Sequence, residues 1–233
     1  PYLRVAAMLQ QIGVHAPRIL QRSEREGFLL LTDLGTTMYL PELTKPGQAD
    51  QLYADALAAL VQIQARGAQA AAELPPYDDK LLRFEMSLFP DWLLQRHLSL
   101  ELSAREAQVL QEAMTALVAN AFEQPQVFVH RDYHSRNLMV CPEGNPGIID
   151  FQDAVRGGLT YDLVSLLRDS YIAWPQARVV GWALEFRRLA INAEQIEQYD
   201  LPTKPRKPGD KRAQHITGTV EAEALPAYIL RGL

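Results

Sequence analysis

The chain of 233 residues holds a single cysteine, Cys141. One thiol cannot close an intramolecular disulfide, which excludes a stapled secreted scaffold and fits a reducing compartment. No apolar run approaches the roughly 18 residues that a bilayer span requires. The longest aliphatic stretches, such as Phe28-Leu29-Leu30-Leu31, are the size of core strands. No leader pattern opens the chain, and a cytoplasmic location is expected. Basic charge is not in excess: 23 Lys plus Arg stand against 28 Asp plus Glu, a formal charge of -5. Neither nucleic acid nor membrane is therefore an expected partner, and oligomeric state leaves no signature. A G-x-x-x-x-G-K-S/T phosphate loop is absent. What is present is ordinary globular usage, 48% hydrophobic and 22% charged, which excludes disorder, collagen and coiled-coil rods.

Apolar residues at 2–12 recur at helical spacing and stop at Gly13. Because this pattern begins at once after Pro1, a segment upstream is expected. Residues 18–21 and 27–32 read as two short strands joined by the charged turn Ser23-Glu24-Arg25-Glu26-Gly27. Thr32-Asp33-Leu34-Gly35 breaks the second strand. From there the pattern is mostly helical: 50–66; 79–97 with a break or kink at Pro90; a capping box of Ser103 and Glu106 ahead of a helix ended by Pro125; then 161–172 and 175–191, the last with Pro175 in its first turn. Residues 201–212 are proline-rich and basic, a solvated linker or an anion-binding patch.

The chemistry concentrates at 127–151. A short buried strand, Val127-Phe128-Val129, delivers His130-Arg131-Asp132-Tyr133-His134-Ser135-Arg136-Asn137. Leu138-Met139-Val140, a turn, and Gly147-Ile148-Ile149-Asp150-Phe151 then read as a hairpin. If Val140 pairs with Gly147, Asn137 falls opposite Asp150. An amide and a carboxylate side by side suit a hard cation such as Mg²⁺, which takes its other ligands from water and phosphates. Asp132, five residues before Asn137, can face the same space. This is the order of parts in kinase-type phosphoryl transfer: the first Asp orients or accepts the proton of the attacking hydroxyl, and the Asn and later Asp hold the metal on the nucleotide. Other readings exist. His130 and His134 at i, i+4 could ligate zinc, but Arg131 stands where H-E-x-x-H has glutamate. Asp132 could cap the loop and Asn137 fill a turn. The His130 ring is expected to bond backbone near Asp150 rather than act as a base, and Cys141, on the turn, is expected to be inert.

These residues, with Ile149-Asp150-Phe151-Gln152-Asp153, resemble the aminoglycoside phosphotransferase/choline kinase-like superfamily. The runs 158–169 and Leu88-Phe89-Pro90-Asp91-Trp92 are similar to bacterial anomeric sugar kinases that phosphorylate N-acetylmuramate and N-acetylglucosamine in cell-wall recycling. The resemblance covers roughly residues 1–191. It implies an α+β fold of bilobal, protein-kinase-like type: a partial N-terminal lobe at 1–33, a helical C-terminal lobe at 34–196, and an atypical tail at 197–233. It implies ATP and Mg²⁺ as cofactors and a small sugar or amine as substrate. Asp132 would be the catalytic base, Asn137 and Asp150 the metal ligands. Leu31, Asp33 and Leu34 would form the hinge that meets adenine. Asp162 would brace the catalytic loop, the alternative being a plain helix-dipole carboxylate. Glu85, Gln152, Asp153, Arg156 and Trp92 would supply the sugar pocket, with a core role open for Trp92.

The family's upstream phosphate loop and lysine are not in this chain, so the expectation is that these residues alone transfer phosphate poorly or not at all. Three functions compete: an amino-sugar kinase; a kinase for an aminoglycoside or choline-like amine, which would need several of Asp78, Asp79, Glu85, Asp91 and Asp153 around the acceptor; and a non-catalytic relic.

Overall fold

The computed structural model describes residues 1–193; the readings of a tail at 197–233 and of a basic stretch at 201–212 lie outside them. Helix α1 (Tyr2–Ile12) buries Val5, Ala6, Met8, Leu9 and Ile12 along one stripe. It stops where Gly13 takes φ 83°, a left-handed cap whose N–H bonds back to Leu9 and Gln10 carbonyls. Strands β1 (Ile19–Ser23) and β2 (Phe28–Leu31) form an antiparallel hairpin, one register irregularity near Ile19 included. Its apolar side chains are largely exposed, Phe28 at 70%.

Three helices follow, α2 (Tyr39–Leu43), α3 (Ala49–Arg66) and α4 (Ala68–Ala71). Helix α3 is the axis of the molecule. Ala56, Leu57, Leu60 and Ile63 on it are fully buried, which at roughly 1.5–3 kcal/mol per large apolar side chain makes it the main source of cohesion. Helix α5 (Asp79–Leu88) starts on the Asp78 side-chain cap and runs into a wider, π-helical segment, Phe89–His97, with Pro90 near its start. The break expected at Pro90 is thus a change of helical pitch, because proline has no N–H for the regular ladder. Helix α6 (Ala104–Glu123) opens on the complete Ser103–Glu106 capping box.

Strand β3 (Gln126–Val129) pairs antiparallel with β6 (Val155–Gly158), Phe128 opposite Arg156. Between them lies the hairpin of β4 (Leu138–Met139) and β5 (Gly147–Ile148). Its register corrects the expected one by a residue: Met139, not Val140, faces Gly147, and Leu138 faces Ile148. The turn is one residue longer than counted, because Val140 bonds outward to the Thr37 carbonyl at 2.8 Å. Helix α7 (Tyr161–Leu167) ends five residues short of the expected 172, and Pro175 caps α8 (Gln176–Asn192) rather than entering it. Helix α8 packs on α3, with the Tyr53 and Trp182 rings stacked at 4.0 Å.

Candidate active site

Strand β3 ends in the core, so the residue after it must be buried too. His130 is, and its ring is fully spent. Nε2 lies 3.1 Å from the Ile149 carbonyl, and Nδ1 accepts the Asp132 backbone N–H at 3.3 Å. Only the neutral Nε2–H tautomer makes both bonds. Burial pushes the imidazole down to about 4, so it stays neutral and serves as a strut.

Asp162, in the first turn of α7, completes this support. Its carboxylate accepts the His130 N–H at 2.7 Å and the Arg131 N–H at 3.0 Å. Burial pushes its carboxyl up to about 7, against the pull of those two donors. The bond to Arg131 fixes a residue with φ 79°, a left-handed conformation that costs a side-chain-bearing residue roughly 1–2 kcal/mol. The loop is pinned on two further sides. The Tyr133 hydroxyl donates to the Ala56 carbonyl of α3 at 2.8 Å. Asp169 accepts both the Ser135 N–H, at 3.0 Å, and the Ser135 hydroxyl. Tyr133 and Asp169 were not read from the sequence as site residues.

Held this way, the loop presents Asp132. Among the described residues no group donates to its carboxylate. Burial lifts it above the ordinary carboxylate value; the charges of Asp150 and Asp153 push the same way, while His134 and Arg131 pull against them. Asn137 spends its amide nitrogen on the Asp132 carbonyl at 3.0 Å and approaches Asp150 Oδ2 at 3.4 Å. The one-residue change in hairpin register does not separate this pair. Ile149 now faces Asn137, its N–H on the Asn137 carbonyl at 3.1 Å, and Asp150 turns back through φ 63°. Gln152 donates to the other Asp150 oxygen at 2.8 Å. The Asn137 amide and the Asp150 carboxylate thus lie side by side, the amide nitrogen turned towards Asp150; an amide and a carboxylate are the ligand types that a divalent cation completed by phosphate and water takes. The zinc reading needs a free His130 ring, and that ring is spent on the Ile149 carbonyl and the Asp132 N–H; among the described residues no group of three His, Cys, Asp or Glu could hold a metal ion. The Cys141 thiol is buried and raised by that burial.

Of the residues expected at the hinge, Leu34 lies at the closed end of the same hairpin. The Asp33 carboxylate caps its own turn by accepting the Gly35 N–H at 2.8 Å. The Leu34 side chain packs so closely on Gly147 that a β-carbon there would come within 2.9 Å of it. Leu31 ends β2, beside them in the chain.

The sugar-pocket candidates do not stay together. Asp153 and Gln152 lie beside Asp132 and Asp150. Glu85 reaches the catalytic loop but is engaged there by the Arg131 guanidinium. Arg156 stands apart: it lines a cavity of about 510 Å³ with Ala68, Pro76, Tyr77 and Phe122, and no residue of the Asp132 cluster lines that cavity. Trp92 is not a core residue, being 56% exposed with the Arg96 guanidinium 4.1 Å over its ring.

Comparison with known proteins places these features. The N-acetylmuramate/N-acetylglucosamine kinase of Pseudomonas aeruginosa is 48% identical over 179 residues, 77% of this chain and 52% of the relative. The protein of the same name from Pseudomonas putida is 44% identical over 182 residues, 78% and 52%. That of Neisseria meningitidis is 36% identical over 189 residues, 80% and 55%. The chain spans about half the length of the curated relatives it matches. Among solved structures, a choline/ethanolamine kinase family protein from Mesorhizobium loti superposes with TM-score 0.54 at 19% identity, covering 82% of this chain and 60% of that one. An aminoglycoside phosphotransferase from Streptomyces rimosus, in complex with ADP and streptomycin, gives 0.53 at 17%, covering 81% and 73%. These likenesses show the fold, and it is the α+β, kinase-like one that the resemblance implied. The model of the phosphotransferase enzyme family matches residues 1–199, and the chain belongs to that family.

Proposed function

We propose that the chain carries the catalytic centre of an ATP-dependent kinase that phosphorylates a hydroxyl of an N-acetylated amino sugar, N-acetylmuramate or N-acetylglucosamine. One observation carries the reading: Asp132, Asn137 and Asp150 converge on one patch while His130 and Asp162 hold the loop that presents them. Asp132, without a donor of its own, orients the acceptor hydroxyl and takes its proton. Asn137 and Asp150 would hold Mg²⁺, whose charge neutralises the phosphates of ATP. The hairpin offers the nucleotide a track, from the hinge at Leu31, Asp33 and Leu34 to the donor pair at its open end. Asp153 and Gln152 line the acceptor side.

A cationic acceptor is disfavoured by where the carboxylates went. Asp78 caps α5, Asp79 pairs with Arg83, and Glu85 pairs with Arg131. Asp153 acts on the Asp132 carboxyl by its charge, but the three acids just named are already spent on partners of their own. The names of the relatives point the same way.

The test is a panel of acceptors with Mg-ATP, using the chain and its Asp132→Asn variant. Phosphate should enter N-acetylglucosamine or N-acetylmuramate, slowly in absolute terms, and fall about a hundredfold or more in the variant. Uptake by kanamycin or choline instead, or uptake indifferent to Asp132, rejects the proposal.

A further inference from the structure

Arg131 is the residue immediately before Asp132, and its guanidinium lies within reach of two acids: Glu85, which it bonds, and Asp132, whose carboxyl its charge pulls down. Pairing with the free carboxylate of Asp132 would be the expected short-range outcome, since Arg–carboxylate pairs are the strong charge-assisted ones. The structure shows a different pairing. One guanidinium nitrogen donates to Glu85 of α5, another to the Asp153 carbonyl at 3.3 Å, and the group lies 5.7 Å over the Tyr77 ring. Glu85 is itself fixed. The Tyr77 hydroxyl donates to it, and the Tyr161 hydroxyl, 3.0 Å from that of Tyr77, approaches the same oxygen at 3.5 Å. Glu85 and Arg131 are each about one-quarter exposed, so solvent screens the pair less than it would on an open surface. Burial works against the Arg131 charge, but the Glu85 hydrogen bond and charge outweigh it and hold the guanidinium above its ordinary value.

We infer that Glu85 is a positioning residue that sequesters the Arg131 guanidinium and so leaves the Asp132 carboxylate open to the acceptor. The inference deepens the kinase reading and rests on it. It assigns Glu85 to the loop rather than to the sugar. With the clamp removed, the guanidinium is free to turn onto Asp132 and occupy the oxygen that should receive the hydroxyl. An uncompensated Arg131 is then the cause of the damage, and removing it repairs the site.

The experiment compares Glu85→Gln with the double variant Glu85→Gln/Arg131→Met in the full chain. Helix α5 buries no residue, so the isosteric change leaves the core intact. In Glu85→Gln, kcat should fall about tenfold or more while KM for the sugar stays within about twofold; in the double variant kcat should rise again by about fivefold or more over the single one. A crystal structure of Glu85→Gln should show the Arg131 guanidinium on the Asp132 carboxylate. A double variant as slow as the single one, a raised KM with kcat kept, or a guanidinium that stays where it is each overturn the inference. If the unmutated chain transfers no phosphate to any acceptor, the crystal structure alone decides where Arg131 goes, and a guanidinium that in Glu85→Gln stays at position 85 rather than on Asp132 overturns the inference.

Discussion

His130 of the catalytic loop and Asp162, which braces it from α7, are both buried and shift in opposite senses, which gives a measurable signature. His130 has its ordinary value of 6.5 in the unfolded chain and is pushed down by burial to about 4 in the fold. The unfolded state then binds more protons between those values, so this residue's contribution is lost as pH falls from about 6.5 towards 4. Asp162 moves from 3.8 up to about 7. Here the folded state binds more protons, so its contribution is lost as pH rises from about 4 to about 7. The two slopes offset one another in the unmutated chain. In urea titrations near pH 5 and pH 7, His130→Asn should favour the acid side relative to wild type, and Asp162→Asn the neutral side; equal pH dependence in all three proteins would contradict the assignment. The residue types were legible from sequence because H-x-D-x-x-x-x-N fixes them in one short stretch. Their bracing by Tyr133 and Asp169 was not, since a tyrosine and an aspartate carry no local mark of a partner 77 or 34 residues away.

At the scale of elements, the helices were legible where caps and periodicity agreed, as in α1 with Gly13 and α6 with its capping box. Strand β6 was not, because Val155–Gly158 is half glycine, a composition that reads as turn. The structure supplies the reason for the glycines. A β-carbon on Gly157 would sit 3.1 Å from the Tyr77 ring, and one on Gly158 would sit 3.0 Å from the Gln124 side-chain oxygen. That oxygen accepts both the Thr160 N–H, at 3.0 Å, and the Thr160 hydroxyl, at 2.9 Å. Gly158→Ala should therefore cost about 1–3 kcal/mol, read as a lowered urea midpoint with an unchanged slope. No change in midpoint would mean that Gln124 yields without loss. The hairpin register was missed for a similar reason: counting across a turn assumes that every residue in it belongs to the ladder, whereas Val140 is drawn off to Thr37.

On the scale of the whole molecule, burial divides the described chain unevenly. The core around α3, α8 and β3 is dense, whereas α5 and the π-helical segment bury nothing. The three tryptophans report this. Trp92 is 56% exposed, while Trp182 is 7% exposed and Trp174 packs edge-on against it. Iodide should quench about one part of the fluorescence readily, and Trp92→Phe should abolish that part; uniform quenching of all three would show that Trp92 is covered. The loop that presents Asp132 also draws its supports from far along the chain, from Asp162 and Asp169, about 30 residues downstream. On a ribosome, which makes the protein from its N-terminus, helix α3 emerges well before those two acids. Helix α8, which completes the packing on α3, comes later still, so the scaffold and the acid that is to meet the alcohol are set together, once nearly all of the described chain has been made.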